Sequence, residues 1–378
     1  MFYENQNERQ KLEYKNMLSI IGKLTRLFSD SDSPYLPYRV QENVFCKYFQ
    51  ADNISRSDCS ADAKKNNIGI GLKTWVGSDD QKVAEFNRLR NTFAGLTGLE
   101  LVRRISMLRN ERIRVTKNLH GLTDMVYHII KRIPGQMQIC EHSFDFIDIE
   151  NIRLLDDRSS DNNIYFADGN HIYHFSLSKN TLYMIFENLE ILDTFGVDIL
   201  EDPYTCLFNI NNALPTATGN QQTTVCEQIC LRLYSTKRDG SKFVFEKSGL
   251  NQWNAQGRPR HPSEIYIPFP AEDRDRNIGF FPPAEQPFNL RLPNGNVISA
   301  KICQENGKAI MSNPNKILGE WLLRDVFELQ EGTLVTYEML ELFGIDSVVI
   351  TKYDNENYSI DFSEIGTYEQ FYNLENEE

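Results

Sequence analysis

The chain has 378 residues, 40% apolar, 25% charged and 11% aromatic, which excludes disordered and collagen-like proteins and leaves room for two packed cores. No apolar run reaches the roughly 18 residues of a membrane span, the first residues lack the basic-then-apolar pattern of a signal peptide, and Cys226 and Cys230 have no second pair to complete a zinc site, so a reduced, cytoplasmic protein is expected. The net charge of −13 argues by itself against a nucleic-acid partner, but it is unevenly spread: residues 335–378 carry eleven acids and one lysine, net −10, whereas residues 85–132 carry ten Lys and Arg and four acids, net +6, so a local DNA-binding surface survives the balance.

Residues 7–28 and a stretch ending near Phe49 carry apolar side chains at helical spacing, with a loop rich in Ser, Asp and Pro at 29–37. Residues 55–75 read as a hairpin turning at Lys64-Lys65-Asn66-Asn67, because Ile68, Ile70 and Leu72 alternate with Gly69, Gly71 and Lys73. Residues 81–130 are expected to be mostly helical, with a helix over 81–87. Strands are expected at 144–149 and in a meander over 164–186 that turns at Asp168-Gly169-Asn170 and near Asn180. Residues 213–224 change character, with no charge and no large apolar residue but Leu214, and read as a linker. Beyond it, short strands near 225–234, 243–245, 264–267, 288–292 and 297–302 alternate with Gly, Pro and Asn turns, which predicts a barrel or sandwich. The division expected is 1–213, 214–224 and 225–378, the last ending in an acidic tail.

In an extended strand Asp58, Ser60 and Asp62 share one face, and in the next strand Lys73 shares a face with Gly69 and Gly71. A carboxylate and an amine on paired strands, beside residues without side chains, leave room for a phosphate. Carboxylates supply hard oxygen ligands to Mg²⁺, and a lysine neutralises developing negative charge. A polar hairpin with a surface Asp and Lys is the alternative reading. Residues 42–87 resemble the PD-(D/E)XK nuclease core of many type II restriction endonucleases. The resemblance matches Asp62 to the first acid of the motif and Lys73 to its lysine. The position two before Lys73 is Gly71 rather than an acid. Glu42, where the preceding helix should lie, is the replacement that the resemblance suggests, with Asp58 as a spare. It implies an α/β (α+β) core with a central mixed sheet, catalytic Glu42, Asp62 and Lys73, Mg²⁺ on Asp62 and Glu42, and 5′-phosphate products.

Residues 248–262 form a long polar loop of Asn, Gln and Arg around Trp253, and residues 307–316 form a second of similar chemistry. Asn and Gln pair with an adenine edge and Arg with guanine or phosphate, so two such arms on a barrel could clamp duplex DNA. Strings 250–270 and 308–326 resemble the DNA-binding pseudobarrel of restriction endonucleases. Its relatives are the C-terminal domain of BfiI, the N-terminal domain of EcoRII and a plant transcription-factor domain, and the nearest likeness is to the C-terminal domain of the NgoFVII type. The resemblance runs from about 225 to about 362 and implies an all-β-rich pseudobarrel. It assigns Asn251, Gln252, Asn254, Arg258 and Arg260 to a first DNA-reading arm and Lys308, Ser312, Asn313, Asn315 and Lys316 to a second. Trp253 and Trp321 read as residues that pack the arms onto the barrel. Arg324 reads equally as a structural ion pair or a phosphate contact.

In the NgoFVII type this domain accompanies a phospholipase-D-like nuclease, which needs His-X-Lys. None of the six histidines is followed two residues later by Lys, so that metal-independent reading is disfavoured. Two readings remain. One is a type II restriction endonuclease that cuts double-stranded DNA with Mg²⁺, as a homodimer or transient pair and away from any membrane. The other is a sequence- or modification-specific DNA-binding protein with an inactive nuclease domain, motivated by Gly71.

Overall fold

A computed structural model describes residues 1–55, 59–213, 227–255, 257 and 259–373. Asp58, Arg258, the expected linker at 214–224 and the last five residues of the acidic tail therefore lie outside the described residues. The chain divides into two compact units. Unit 1 comprises residues 1–55, 60–110 and 122–222, and unit 2 comprises 56–59, 111–121 and 223–378.

Unit 1 opens with helices α1 (Glu8–Lys23) and α2 (Tyr38–Phe49). The Asn7 side chain caps α1 by accepting from the Arg9 N–H, which satisfies one of the orphan donors at a helix start. Gln50 ends α2 in the left-handed region at φ 54. Strands β1 (Asp52–Asn53), β2 (Ala63–Lys65), β3 (Ile68–Trp75) and β4 (Asp80–Glu85) follow, then helix α3 (Gly98–His120), β5 (Asp124–Ile133) and β6 (Gln136–Ser143). Next come β7 (Arg153–Leu154), β8 (Asn163–Ala167), β9 (Ile172–Ser176), β10 (Thr181–Ile185), β11 (Glu190–Gly196) and α4 (Pro203–Ala213).

One sheet has the order β1-β2-β3-β5-β6-β11. It is mixed: β3 and β5 run parallel, joined by a crossover that contains α3, as parallel neighbours require, and its other pairs are antiparallel. The expected central mixed sheet is thus present. A second, antiparallel sheet has the order β4-β10-β9-β8-β7 and contains the expected meander. Three expectations fail. Residues 124–130, expected within a mostly helical stretch, belong to β5. Residues 81–87 are not a helix: β4 pairs with β10, so cross-strand partners override the helix preference of Gln, Lys, Ala and Glu. Residues 144–148 are not a strand. The hairpin lies earlier, in β5 and β6, and turns at Gly135, φ 73.

The core of unit 1 gathers Tyr14, Phe45, Phe49, Ile70, Ile130 and Ile139 among others. A polar tie runs through it. Buried His128 meets the Tyr14 hydroxyl at 3.1 Å through Nε2 and Glu141 Oε1 at 3.3 Å through Nδ1. The same carboxylate oxygen accepts the Tyr3 backbone N–H at 2.8 Å, which anchors the first residues of the chain.

Unit 2 contains β12 (Glu227–Arg232), β13 (Ser235–Thr236), β14 (Lys242–Phe243), β15 (Ile267–Pro268), α5 (Ala271–Arg276), β16 (Pro287–Arg291), β17 (Val297–Cys303) and β18 (Ala309–Ser312). After these come α6 (Ile317–Gly319), a wide turn of π-helix over Glu320–Val326, α7 (Tyr337–Phe343), β19 (Ile345–Lys352), β20 (Asn357–Glu364) and α8 (Thr367–Phe371). Seven strands in the order β12-β19-β20-β16-β17-β18-β15 make one sheet, parallel only between β16 and β20. Its outer strands β12 and β15 lie against each other, so the sheet is a nearly closed barrel. Ile229, Leu290, Ile310, Val348, Ile350 and Ile360 fill it, together with Val115 and Leu119 from the part of α3 that groups with this unit.

Candidate functional site

In unit 1, β2 and β3 place the expected acid and lysine. The Asp62 N–H donates to the Ile70 carbonyl at 2.9 Å, and Asp62 Oδ2 accepts the Leu72 N–H at 2.6 Å. The carboxylate is thereby pinned beside the strand that carries Lys73. Lys73 Nζ donates to the Lys82 carbonyl at 3.0 Å, and the Lys73 carbonyl accepts from Nε2 of buried Gln41 at 3.0 Å. Glu42, the next residue on α2, is also buried. Its Oε2 accepts from Arg39 and from the Ser55 hydroxyl, both at 3.0 Å.

These groups share one electrostatic neighbourhood. Burial pushes the Asp62 carboxyl above the ordinary aspartate range, and the Glu42 charge adds to that. Lys73, the Leu72 N–H and Arg39 oppose it without cancelling it. Burial pushes the Lys73 ammonium down, while Asp62 opposes and Lys82 and Arg109 add. Among the described residues no three His, Cys, Asp or Glu side chains converge as a metal-binding group. Asp62 and Glu42 are the carboxylates that could hold Mg²⁺, which is usually bound by one or two carboxylates and keeps several waters. A desolvated carboxylate raised further by a second one is the environment that a cation relieves.

In unit 2 a cleft of ≈ 330 Å³ opens between the two expected arms, where Gln252, Arg260, Lys301, Gln304, Tyr266 and Asn315 line it. The first arm carries a short 3₁₀ turn at Gly249–Asn254. The second is β18 and the turn that follows it. Buried Gln252 forms the cleft floor. Its Nε2 donates to Glu264 Oε1 at 3.2 Å and its Oε1 accepts from Gln304 at 2.9 Å. Arg260 reaches the same Glu264 oxygen at 2.8 Å.

The remaining arm residues divide by burial. Lys308, Asn313 and Lys316 are exposed and Asn254 is half-buried. Lys316 also pairs with Glu320 at 2.9 Å. Asn251 and Ser312 are buried, and their polar groups are used within the domain. Asn251 donates to the Phe245 and Val335 carbonyls and accepts the Val335 N–H. Ser312 donates to the Pro314 carbonyl and accepts the Leu318 N–H. Trp253 and Trp321 pack on the barrel core, as expected. Arg324 donates to the Pro262, Leu329 and Gln330 carbonyls, and among the described residues it forms no ion pair.

Sequence reasoning missed Lys247, Lys301, Gln304 and Tyr266, all lining the cleft. For Lys301 a signal exists, because Ser299, Lys301 and Cys303 fall on one face of a strand at period two.

A nearly closed barrel that carries two polar arms fits a pseudobarrel. Residues 225–354 match the family described as the NgoFVII C-terminal B3-like DNA-binding domain. This match is consistent with a restriction-enzyme-like DNA-binding domain and supports DNA as the partner. No curated protein matches the chain. Among the described residues no helix is long and apolar enough to cross a membrane.

Proposed function

We propose that the chain is a type II restriction endonuclease. Unit 2 finds a short sequence in double-stranded DNA, and unit 1 hydrolyses a phosphodiester bond with Mg²⁺. The reading is supported by Asp62, pinned to the Leu72 N–H beside Lys73 at a mixed sheet, in a chain whose other unit matches the NgoFVII C-terminal B3-like DNA-binding domain. Asp62 and Glu42 would hold the cation. When bound, it supplies a polarised phosphoryl oxygen and an activated water. Lys73 orients the attacking water and offsets charge that develops on the phosphate. Two copies of the chain would supply one centre for each strand.

The test is cleavage of plasmid or phage DNA with Mg²⁺ and with EDTA, followed by sequencing of the ends. Discrete fragments only with Mg²⁺ are expected. Discrete fragments in EDTA would remove Asp62 and Glu42 from the chemistry. Sequence-specific gel shifts with no cleavage under any metal would favour the second reading, a DNA-binding protein with an inactive unit 1, to which Gly71 at the acid position points.

Acid sensitivity follows from Asp62. Its carboxyl is raised, so a proton competes with the cation up to a pH above the ordinary aspartate value of about 3.9. The carboxylate needed for metal is present above the raised value and lost as pH falls through it. Mn²⁺ titrations at a series of pH values should therefore show affinity falling while ordinary carboxylates are still ionised. Affinity that stays flat down to about pH 4 would place Asp62 outside the metal site.

At the DNA interface two residues should behave differently. Arg260→Ala should cost roughly 1–3 kcal/mol of specific binding and relax discrimination at one base position, as a base contact does. Lys316→Ala should weaken binding to all sequences alike and lower the salt slope by about one, as a phosphate contact does. Fluorescence anisotropy across a salt series with cognate and mismatched duplexes separates the two. Equal behaviour would sink the assignment.

A further inference from the structure

The cleft of unit 2 contains a hydrogen-bond relay whose polarity is fixed from one end. Glu264 is buried and pairs with Arg260 at 2.8 Å. A carboxylate in such a pair accepts and cannot donate. Gln252 therefore turns Nε2 toward it, at 3.2 Å, and its carbonyl oxygen the other way. That oxygen accepts from Gln304 Nε2 at 2.9 Å. One amide sets the next, and the relay ends at the Gln304 carbonyl oxygen. Among the described residues nothing donates to this oxygen, and the side chain that carries it is half-buried and lines the cleft. Turned over, the Gln304 amide would set its oxygen against the Gln252 oxygen, two acceptors with no hydrogen between them.

The backbone at the end of the relay is strained. Gln304 has φ 67 and ψ 168, a combination essentially confined to glycine. It follows β17, where the turn into β18 begins. Glycine would relieve the strain there but would lose the amide that meets Gln252. Strain of this kind persists where the surroundings over-determine it, and it clusters at ligand contacts.

We propose that Gln304 is a specificity-determining residue of the DNA cleft, whose carbonyl oxygen accepts from an exocyclic base amine, cytosine N4 or adenine N6, in the major groove. The assignment rests on the DNA recognition proposed for unit 2 and names the chemistry that one position of its site presents. In the major groove A and C offer amines, whereas G and T offer oxygens. An amide free to turn over could serve either. Gln304 is not free, because Gln252 holds its nitrogen and Glu264 holds Gln252. A methyl group on the amine that leaves base pairing intact replaces the hydrogen facing the groove, so it removes the donor that Gln304 needs.

The experiment mixes the full chain, in EDTA, with duplexes carrying a randomised segment and sequences those that bind. The selected duplex is then made with N4-methylcytosine or N6-methyladenine at each of its amino bases in turn, and binding is read by fluorescence anisotropy. At one position the wild type should require an amino base on one strand, and methylating that amine should weaken binding by about tenfold, within the range of a single base contact. The identity of that base separates cytosine from adenine. Gln304→Ala should lose the preference and the methyl sensitivity at that position and keep the others. Gln304→Gly should do the same and melt higher than Gln304→Ala, because the strained backbone is then unhindered. Methyl sensitivity that survives Gln304→Ala overturns the inference. So does a position lost in Gln304→Ala whose amine the wild type tolerates methylated, or loss of every position together with a lowered melting temperature in both variants. A wild type that enriches no sequence from the pool overturns the DNA recognition itself, and the inference falls with it.

Discussion

Lys73→Ala is expected to slow DNA cleavage by roughly 10²–10³-fold, the usual loss when one preorganised donor to developing negative charge is removed, with sequence-specific binding unchanged. The ammonium is pushed down by burial, so it sits where charges are weakly screened and its field on a nearby phosphate is strong. Among the described residues its ammonium donates to the Lys82 carbonyl alone, and Gln41 holds the backbone of this residue rather than its side chain. Truncation thus leaves one carbonyl without a donor and opens no hole in the aromatic core. Thermal unfolding should change little. Arginine should not rescue the rate, because its planar fork cannot occupy the place of a compact ammonium. Single-turnover cleavage alongside gel-shift titration reads both quantities. Wild-type cleavage by Lys73→Ala would exclude the lysine from the chemistry, and loss of binding with a lowered melting temperature would make it structural.

How much of this was legible in the sequence depended on whether the pattern was local. Helices α1 and α2 announce themselves by apolar spacing, and the meander by its Gly169 and Asn180 turns. The sequence places most of β5 in a helical stretch because Met125–Ile130 is apolar but for His128. A parallel strand with both faces covered looks like that, and periodicity cannot tell it from a buried helix. β4 was misread because its residues favour helix and only β10, far along the chain, supplies its backbone partners. At the candidate centre, Asp62 and Lys73 were visible through the two-residue alternation of adjacent strands. Arg109 was not, since the crossover between β3 and β5 brings it there and no spacing encodes it. In unit 2 the two polar loops were legible as arms. Which of their amides turn inward was not, because Asn251 and Asn254 are chemically alike and differ only in the carbonyls around them.

Gly319→Ala should give the largest structural effect in unit 2, and its sign is the informative part. Gly319 has an ordinary helical backbone, φ −79 and ψ −31, so alanine would be favoured by about 1 kcal/mol on helix propensity alone. The space around it argues the other way. A Cβ there would lie 2.0 Å from the Ser263 carbonyl oxygen and 3.2 Å from Ile265 Cγ1. A backbone oxygen cannot rotate aside as the end of a flexible side chain can. Overpacking of this kind costs roughly 1–3 kcal/mol and occasionally more, enough to outweigh the propensity gain. The strain is also poorly placed for function. Leu318 is tied to Ser312 in the second arm at 3.0 Å, and Arg324 is tied to Pro262 at 3.0 Å. The turn that must move is therefore fastened to both arms, and Ser263 precedes Glu264, which Arg260 holds in the cleft network. The expected result is a lower melting temperature for the full chain, with specific DNA affinity reduced by at least about tenfold, the equivalent of 1.4 kcal/mol. Gly319→Ser should be no milder, since it adds the same Cβ. A Gly319→Ala chain that melts higher than wild type would mean that the two arms are not held together at this contact.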